Sequence, residues 1–289
     1  MSSRAAHPVQ PDLGNGEAGA PARLTRGASV ASGGLSKPLL GLAGIAGFLL
    51  IWEACPRAGL VDIRFLPPAS EVLGILLADL GLAAFWAAVG ETMTAWAIGL
   101  VTAIIAAVVL GFAVGSSTFL RRFTYSTVEF MRPIPSVALI PLAVLLFGVK
   151  IESSLMLIIY ASFWQVFIQV LYGVADVDNV AMQTAKSYGL KATARVRHVV
   201  FPTALPYLTT GVRLAAAVAL ILAITAELVI GSPGLGREIA LAQSGGAISS
   251  MYALVLACGL LGVAINLAMR WIERKTLAWH SSVRSEMVV

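Results

Sequence analysis

The sequence has few charged residues and almost no cysteine. Asp, Glu, Lys and Arg make up 12% of the chain, whereas hydrophobic residues make up 58% and the mean hydropathy is +0.86. Soluble globular domains carry about twice that share of charge, so the composition argues against a water-soluble globule. Cys55 and Cys258 lie in or beside apolar runs and form no CxxC pair. Neither a zinc site nor a disulfide framework is therefore expected.

Motifs of catalysis are also missing. The chain has no GxxxxGK[ST] phosphate loop, no HExxH and no GxSxG, and its 3 histidines, His7, His198 and His280, are far apart. We therefore expect no enzyme, no metal site and no cofactor bound by this chain. The net charge is +5, but the basic residues are spread over loops and are not clustered with aromatic residues. Nucleic-acid binding is not expected.

What the chain does have is a series of long apolar runs, each close to the length that crosses about 30 Å of hydrocarbon as a helix. They predict an all-α, polytopic membrane protein with six transmembrane helices. The runs cover residues 38–55, 91–115, 130–148, 153–174, 207–230 and 251–271. A transmembrane domain then covers residues 38–279. Residues 1–37, rich in Gly, Ala, Ser and Pro, predict a disordered tail without a signal peptide, and residues 280–289 form a second tail.

The positive residues predict the orientation. With six spans and both termini in the cytoplasm, the outer side receives only four of the 20 Lys and Arg residues. These are Arg57, Arg64, Lys150 and Arg237. Cytoplasmic loops carry the excess of positive charge in membrane proteins, so both termini are predicted to be cytoplasmic.

The third apolar run is interrupted by Arg132-Pro133-Ile134-Pro135. Proline removes a backbone donor and bends a helix, and the freed groups must be satisfied by neighbours or water. Arg132 can pair with Glu129 or face a transport pathway. A kinked third span is predicted.

Each of the other polar residues inside the spans has a functional and a structural interpretation. Glu227 in the fifth run can line a pathway near an outer gate or form a structural hydrogen bond to a neighbouring helix end. Trp164 and Gln165 in the fourth run can line the same pathway or serve packing.

Residues 176–206, here called the polar segment, separate the fourth and fifth runs. The pattern predicts two short helices: Asp178 caps the first, Gly189 closes it in a left-handed conformation, and the second opens at Thr193 or at the Lys191–Ala192 step. Pro202 is predicted to end the second helix. The positive-residue rule places the polar segment in the cytoplasm, where it can be gripped by a soluble partner.

The polar segment resembles the "EAA–G–I–LP" loop of bacterial ABC-importer permeases. The match comprises Gln183, Thr184 and Ala185, followed by Lys186, then Gly189, and finally Val199 to Pro202. Gln183 stands where the family usually has Glu, Thr184 where it has Ala, Val199 where it has Ile and Phe201 where it has Leu. The segments RPIPSVALIP and Ala226-Glu227 with Gly234-Leu235-Gly236 are similar to the nitrate/sulfonate/taurine/bicarbonate branch.

The resemblance implies a type I ABC-importer permease in a prokaryotic cytoplasmic membrane, with a pathway between two copies. Two ATPase subunits would bind ATP and dock on the polar segment, and an extracytoplasmic solute-binding protein would deliver the substrate. The substrate expected is a small sulfonate-, taurine- or nitrate-like anion, with a pyrimidine-type vitamin precursor or an aromatic acid as the alternative. A secondary carrier or channel working without ATP, or a membrane scaffold, are the other classes of function considered.

Overall fold

The computed structural model describes residues 36–278, and within them all regular structure is helical. The predicted tails, residues 1–37 and 280–289, lie outside this range except for Ser36 and Lys37, which begin the first helix. The helices are α1 Ser36–Arg57, α2 Ala69–Asp79, α3 Ala83–Ser116, α4 Thr118–Met131, α5 Ile140–Phe147, α6 Ile151–Ala175, α7 Asn179–Ser187, α8 Ala192–Arg195, α9 Phe201–Ile230, α10 Leu235–Ser244 and α11 Ile248–Thr276. A 3₁₀ turn, Ser136–Leu139, precedes α5, and a π-helical turn, Val196–Val200, joins α8 to α9.

The chain divides within α1 into two compact units, one up to Phe48 and the other from Leu49 onward. Among the described residues, the first unit contains only the apolar first part of α1. All the other helices belong to the second unit, and the functional residues discussed below lie there.

In the described range, five helices are long and apolar enough to cross a membrane, and the bent pair α4 and α5 makes a sixth span if counted as one. The predicted fold class, an all-α polytopic membrane protein, is confirmed. The third span differs from a kinked helix, because α4 and α5 meet at 83° across the Arg132–Pro135 break. The Met131 carbonyl at this break accepts a 2.7 Å hydrogen bond from the Tyr160 hydroxyl and a 3.2 Å hydrogen bond from the Ile134 N–H. A neighbouring helix thus contributes to satisfying this group, as predicted.

Helix α6 is the centre of the second unit and packs between α3 and α9. Glycines permit the close approach on both sides. A Cβ at Gly111 of α3 would lie 2.7 Å from Cγ1 of Val170, and a Cβ at Gly173 of α6 would lie 2.8 Å from Cα of Ala204. Small residues at such positions let the backbones of membrane helices approach closely. The packing contacts that result help to hold the helices together, since lipid offers no hydrophobic driving force between them.

A second apolar cluster gathers the start of α3, the start of α10 and the beginning of α11 under helix α2. Val72 and Leu76 of α2 are buried against Phe85, Leu235 and Ala253. Because Val72 and Leu76 are four residues apart, they lie on the same face of the helix. This amphipathic helix covers one end of the spans.

Candidate functional site

The first helix of the polar segment, α7, has a complete cap at each end. The Asp178 carboxylate accepts a 2.8 Å hydrogen bond from the Val180 N–H at the N-terminus. At the C-terminus Gly189 has φ +72°, and its N–H donates to the Lys186 carbonyl at 2.9 Å while the Leu190 N–H donates to the Ala185 carbonyl at 3.0 Å. These two bonds form a Schellman motif. The predicted roles of Asp178 and Gly189 in shaping this turn are confirmed.

The second helix, α8, begins at Ala192, which selects the Lys191–Ala192 step over Thr193 as its start, but Pro202 does not end it. The chain continues through the π-helical turn Val196–Val200 directly into α9, so that residues 192–230 form one candidate span. Pro202 falls in the first turn of α9, and Pro206 lies inside it. The prediction that Pro202 stops the helix is wrong, because the wider π turn tolerates the missing proline donor while the backbone stays helical.

Two side-chain hydrogen bonds hold the polar segment in place. The Tyr207 hydroxyl of α9 donates a 3.0 Å hydrogen bond to the Asp176 carboxylate at the end of α6. Within the segment, the Arg195 guanidinium donates a 2.7 Å hydrogen bond to the Leu190 carbonyl. The close approach of Gly173 to Ala204 brings α6 and α9 together beside these bonds. These contacts hold the two ends of the polar segment, where α6 ends and α9 begins, close together.

Helix α7 has one face packed against the rest of the chain and one face exposed. Ala185 is buried against the rest of the chain, whereas Gln183, Thr184 and Lys186 are exposed. Farther along the segment, Val199 and Pro202 are half-buried. Ala185 thus serves packing within the chain, and its three neighbours are free to contact a partner.

Two residues that the sequence analysis missed also lie on the solvent-exposed surface of the polar segment. Val180 is 69% exposed and Tyr188 is 81% exposed. Val180 and Thr184, four residues apart, share one helix face. Large apolar side chains on an otherwise polar helix were the available signal for a contact surface.

Four of the five predicted pathway residues come together. Arg132 and Pro133 from the break between α4 and α5 line a cleft of about 400 Å³ with Trp164 and Gln165 of α6. Arg132 is exposed, and in the described part of the chain no carboxylate pairs with it, Glu129 included. Among residues 36–278, it is the only charged residue that lines the cleft. The cleft flanks the middle of a membrane-spanning helix and offers one cation with several neutral hydrogen-bonding groups.

The fifth residue, Glu227, lies apart from this cleft in a buried hydrogen-bonded cluster. Its Oε2 accepts from the Thr92 hydroxyl at 2.8 Å and from the Gly236 N–H at 3.0 Å, and Thr92 Oγ1 in turn accepts from the Leu235 N–H at 2.9 Å. Glu227 is 1% exposed and Thr92 is fully buried. Its second oxygen, Oε1, has no hydrogen-bond partner among the described residues. The carboxylate joins the start of α10 to α3 and α9.

The two glycines around Leu235 make this arrangement possible. Gly234 has φ +144°, and a Cβ there would overlap the carboxyl group of Glu227. A Cβ at Gly236 would lie 2.7 Å from Cβ of Glu227. The Gly-Leu-Gly sequence therefore lets the chain pass directly over the carboxylate while Leu235 fills the apolar cluster under α2.

Comparisons with known proteins agree with this fold. Residues 99–277 match the family described as binding-protein-dependent transport system inner membrane component. The chain is similar to the taurine transport system permease protein TauC of Escherichia coli K12, with 29% identity over 85% of this chain and 91% of TauC. It is also similar to the bicarbonate transport system permease protein CmpB of Synechococcus elongatus, with 28% identity over 82% of this chain and 88% of CmpB.

Solved structures show the same likeness in the fold. The chain is similar to a chain in the inward-facing conformations of the MetNI methionine ABC transporter, with a TM-score of 0.56 at 18% sequence identity. The match covers 67% of this chain and 96% of that one.

Proposed function

Because the chain belongs to the family of binding-protein-dependent transport system inner membrane components, we propose that it is the permease subunit of an ATP-driven importer in a prokaryotic cytoplasmic membrane. The family match confirms the resemblance to this family. That resemblance was drawn from the polar segment, from the break at Arg132–Pro135, and from Ala226-Glu227 with Gly234-Leu235-Gly236. In this proposal two copies of the chain form the translocation pathway. Two separate ATPase subunits supply the energy.

The observation that carries the proposal is the construction of the polar segment. Its first helix is capped at both ends, and the helix with its C-cap exposes Val180, Gln183, Thr184 and Tyr188, while the Asp176–Tyr207 hydrogen bond ties the end of α6 to α9. We infer that this surface docks on the ATPase. Gln183 is neutral where the family usually has Glu, so this contact relies on hydrogen bonding and on the apolar side chains beside it. Movement of α7 would then rock the spans.

The cleft at Arg132 is proposed to be part of the pathway, beside a second copy of the chain. Two relatives are named for taurine and bicarbonate, and both solutes carry an anionic group. One unpaired cation at Arg132, with amide and hydroxyl groups beside it, suits the passage of such an anion. We therefore favour a small sulfonate, taurine or related anion as the substrate, delivered at the outer face by a solute-binding protein.

The proposed orientation places both termini and the polar segment in the cytoplasm. The distribution of Lys and Arg supports this orientation. ATP would be bound by the partner ATPase, since this sequence contains no GxxxxGK[ST] motif.

The test is reconstitution of the chain with its ATPase and binding protein in proteoliposomes, followed by uptake of radiolabelled substrate. Gly189→Val forces a β-branched residue into the left-handed conformation at the end of α7. We expect it to reduce ATP-dependent uptake and to loosen the ATPase from the purified complex.

Gly246→Val is the matched control. Gly246 has φ +71°, makes the same pair of Schellman hydrogen bonds after α10, and likewise has open space around its Cβ position. It should keep the ATPase bound. Uptake by the wild-type chain without ATP, or equal ATPase retention by both variants, would favour a secondary carrier or channel instead.

A further inference from the structure

A second cleft, of about 410 Å³, lies where α3 and α6 end and the polar segment begins. Three basic residues from three different helices line it: Arg121 of α4, Lys186 of α7 and Arg195 of α8. The sequence separates them by up to 74 positions, and the fold brings them to one opening.

In the described part of the chain, no acidic residue lines this cleft to balance the three positive charges. The two carboxylates that are near it in sequence are engaged elsewhere, Asp176 with the Tyr207 hydroxyl and Asp178 with the Val180 N–H. Within residues 36–278, the ion pairs join other residues. Like charges that converge without a counter-charge repel one another, so an anion in the cleft would stabilise the arrangement.

The position of the cleft indicates which anion fits. Helices α3 and α6 are both candidate membrane spans and end at Ser116 and Ala175, so the cleft opens at the level where the apolar spans stop. Val174 and Val200 add apolar walls on the side of the spans. A site with cations at its mouth and apolar walls beside a membrane boundary matches the phosphate headgroup and upper acyl chains of a phospholipid.

We propose that this cleft binds the phosphate headgroup of an anionic phospholipid. Because Arg121 lies in α4, the first part of the bent third span, while Lys186 and Arg195 belong to the polar segment, the lipid bridges the spans and the segment. Anionic lipid then braces α7 and α8 in their position beneath α3 and α6. This binding site is independent of the translocated substrate, and its test does not involve transport.

The experiment measures lipid binding to the detergent-purified chain by native mass spectrometry, with phosphatidylglycerol and phosphatidylcholine of identical acyl chains in competition. Arg121→Gln removes a cation from the cleft. Arg122→Gln is the matched control, because Arg122 is the next residue on α4, is also exposed, and does not line the cleft. We expect Arg121→Gln to lower the retention of phosphatidylglycerol about tenfold, since a charge-assisted contact is lost.

Other arms of the experiment separate the alternatives. Adding Lys186→Gln to Arg121→Gln should abolish the preference for phosphatidylglycerol. Glycerol phosphate at millimolar concentration should not displace the lipid, because it lacks the acyl chains that the apolar walls contact. Equal retention of the two lipids by the wild type, equal losses in the Arg121 and Arg122 variants, or full displacement by glycerol phosphate would overturn the proposal.

Discussion

The buried cluster at Glu227 gives the sharpest quantitative prediction. Replacing Glu227 with Ala leaves the Thr92 hydroxyl and the Gly236 N–H without an acceptor, and both groups are buried. An unsatisfied buried polar group costs about 1–3 kcal/mol, and hydrogen bonds between membrane helices lie toward the low end of such values. Two of them together should lower the free energy of unfolding by about 2–4 kcal/mol.

Glu227→Gln should cost less than Glu227→Ala, because the amide oxygen can still accept from Thr92 and Gly236 and the side chain keeps its volume. The assay is unfolding of the purified chain in detergent, monitored by tryptophan fluorescence. Glu91→Ala is the control, since Glu91 is an exposed carboxylate one residue before Thr92. If Glu227→Ala is no more destabilising than Glu91→Ala, the cluster does not join α10 to α3 and α9 as described.

Two further predictions concern the helix packing and the pathway. Gly111→Ala should destabilise the chain by about 1–3 kcal/mol in the same unfolding assay, because the new methyl group would meet the buried, β-branched Val170. The control is Gly90→Ala in the same helix, which has open space around it and should be neutral or stabilising. Equal effects of the two substitutions would contradict the α3–α6 packing. Arg132→Gln should slow ATP-dependent uptake of an anionic substrate about tenfold, because one charge-assisted contact in the cleft is lost. Retention of the ATPase should be unchanged. Unchanged uptake would contradict the assignment of Arg132 to the pathway.

Local features of the fold could be predicted from the sequence where short-range chemistry decides them. Asp178 and Gly189 set the two ends of α7 through backbone hydrogen bonds within a few residues. The apolar runs predicted the spans, since the length of a helix that crosses a bilayer is fixed by its thickness. The broken third span was visible in its two prolines, although proline chemistry does not determine a bend of 83°.

Features that depend on distant residues could not be predicted. Thr92 and Glu227 are 135 positions apart, and only the packing of α3 against α9 brings them together. The continuous helix through Pro202 depended on a π-helical turn that residue types alone do not specify. The convergence of Arg121 with Lys186 required knowing how α4 lies beside the polar segment.

The central claim is that this chain works as a permease joined to separate ATPase subunits through the polar segment. The most direct test is the intact mass of the complex purified from its native membrane in mild detergent, with trapped nucleotide and identification of each subunit. We predict two copies of this chain with two copies of an ATPase that carries the GxxxxGK[ST] motif. A lone monomer or dimer, reproducibly free of ATPase under these conditions, would contradict the claim and favour a carrier that works without ATP.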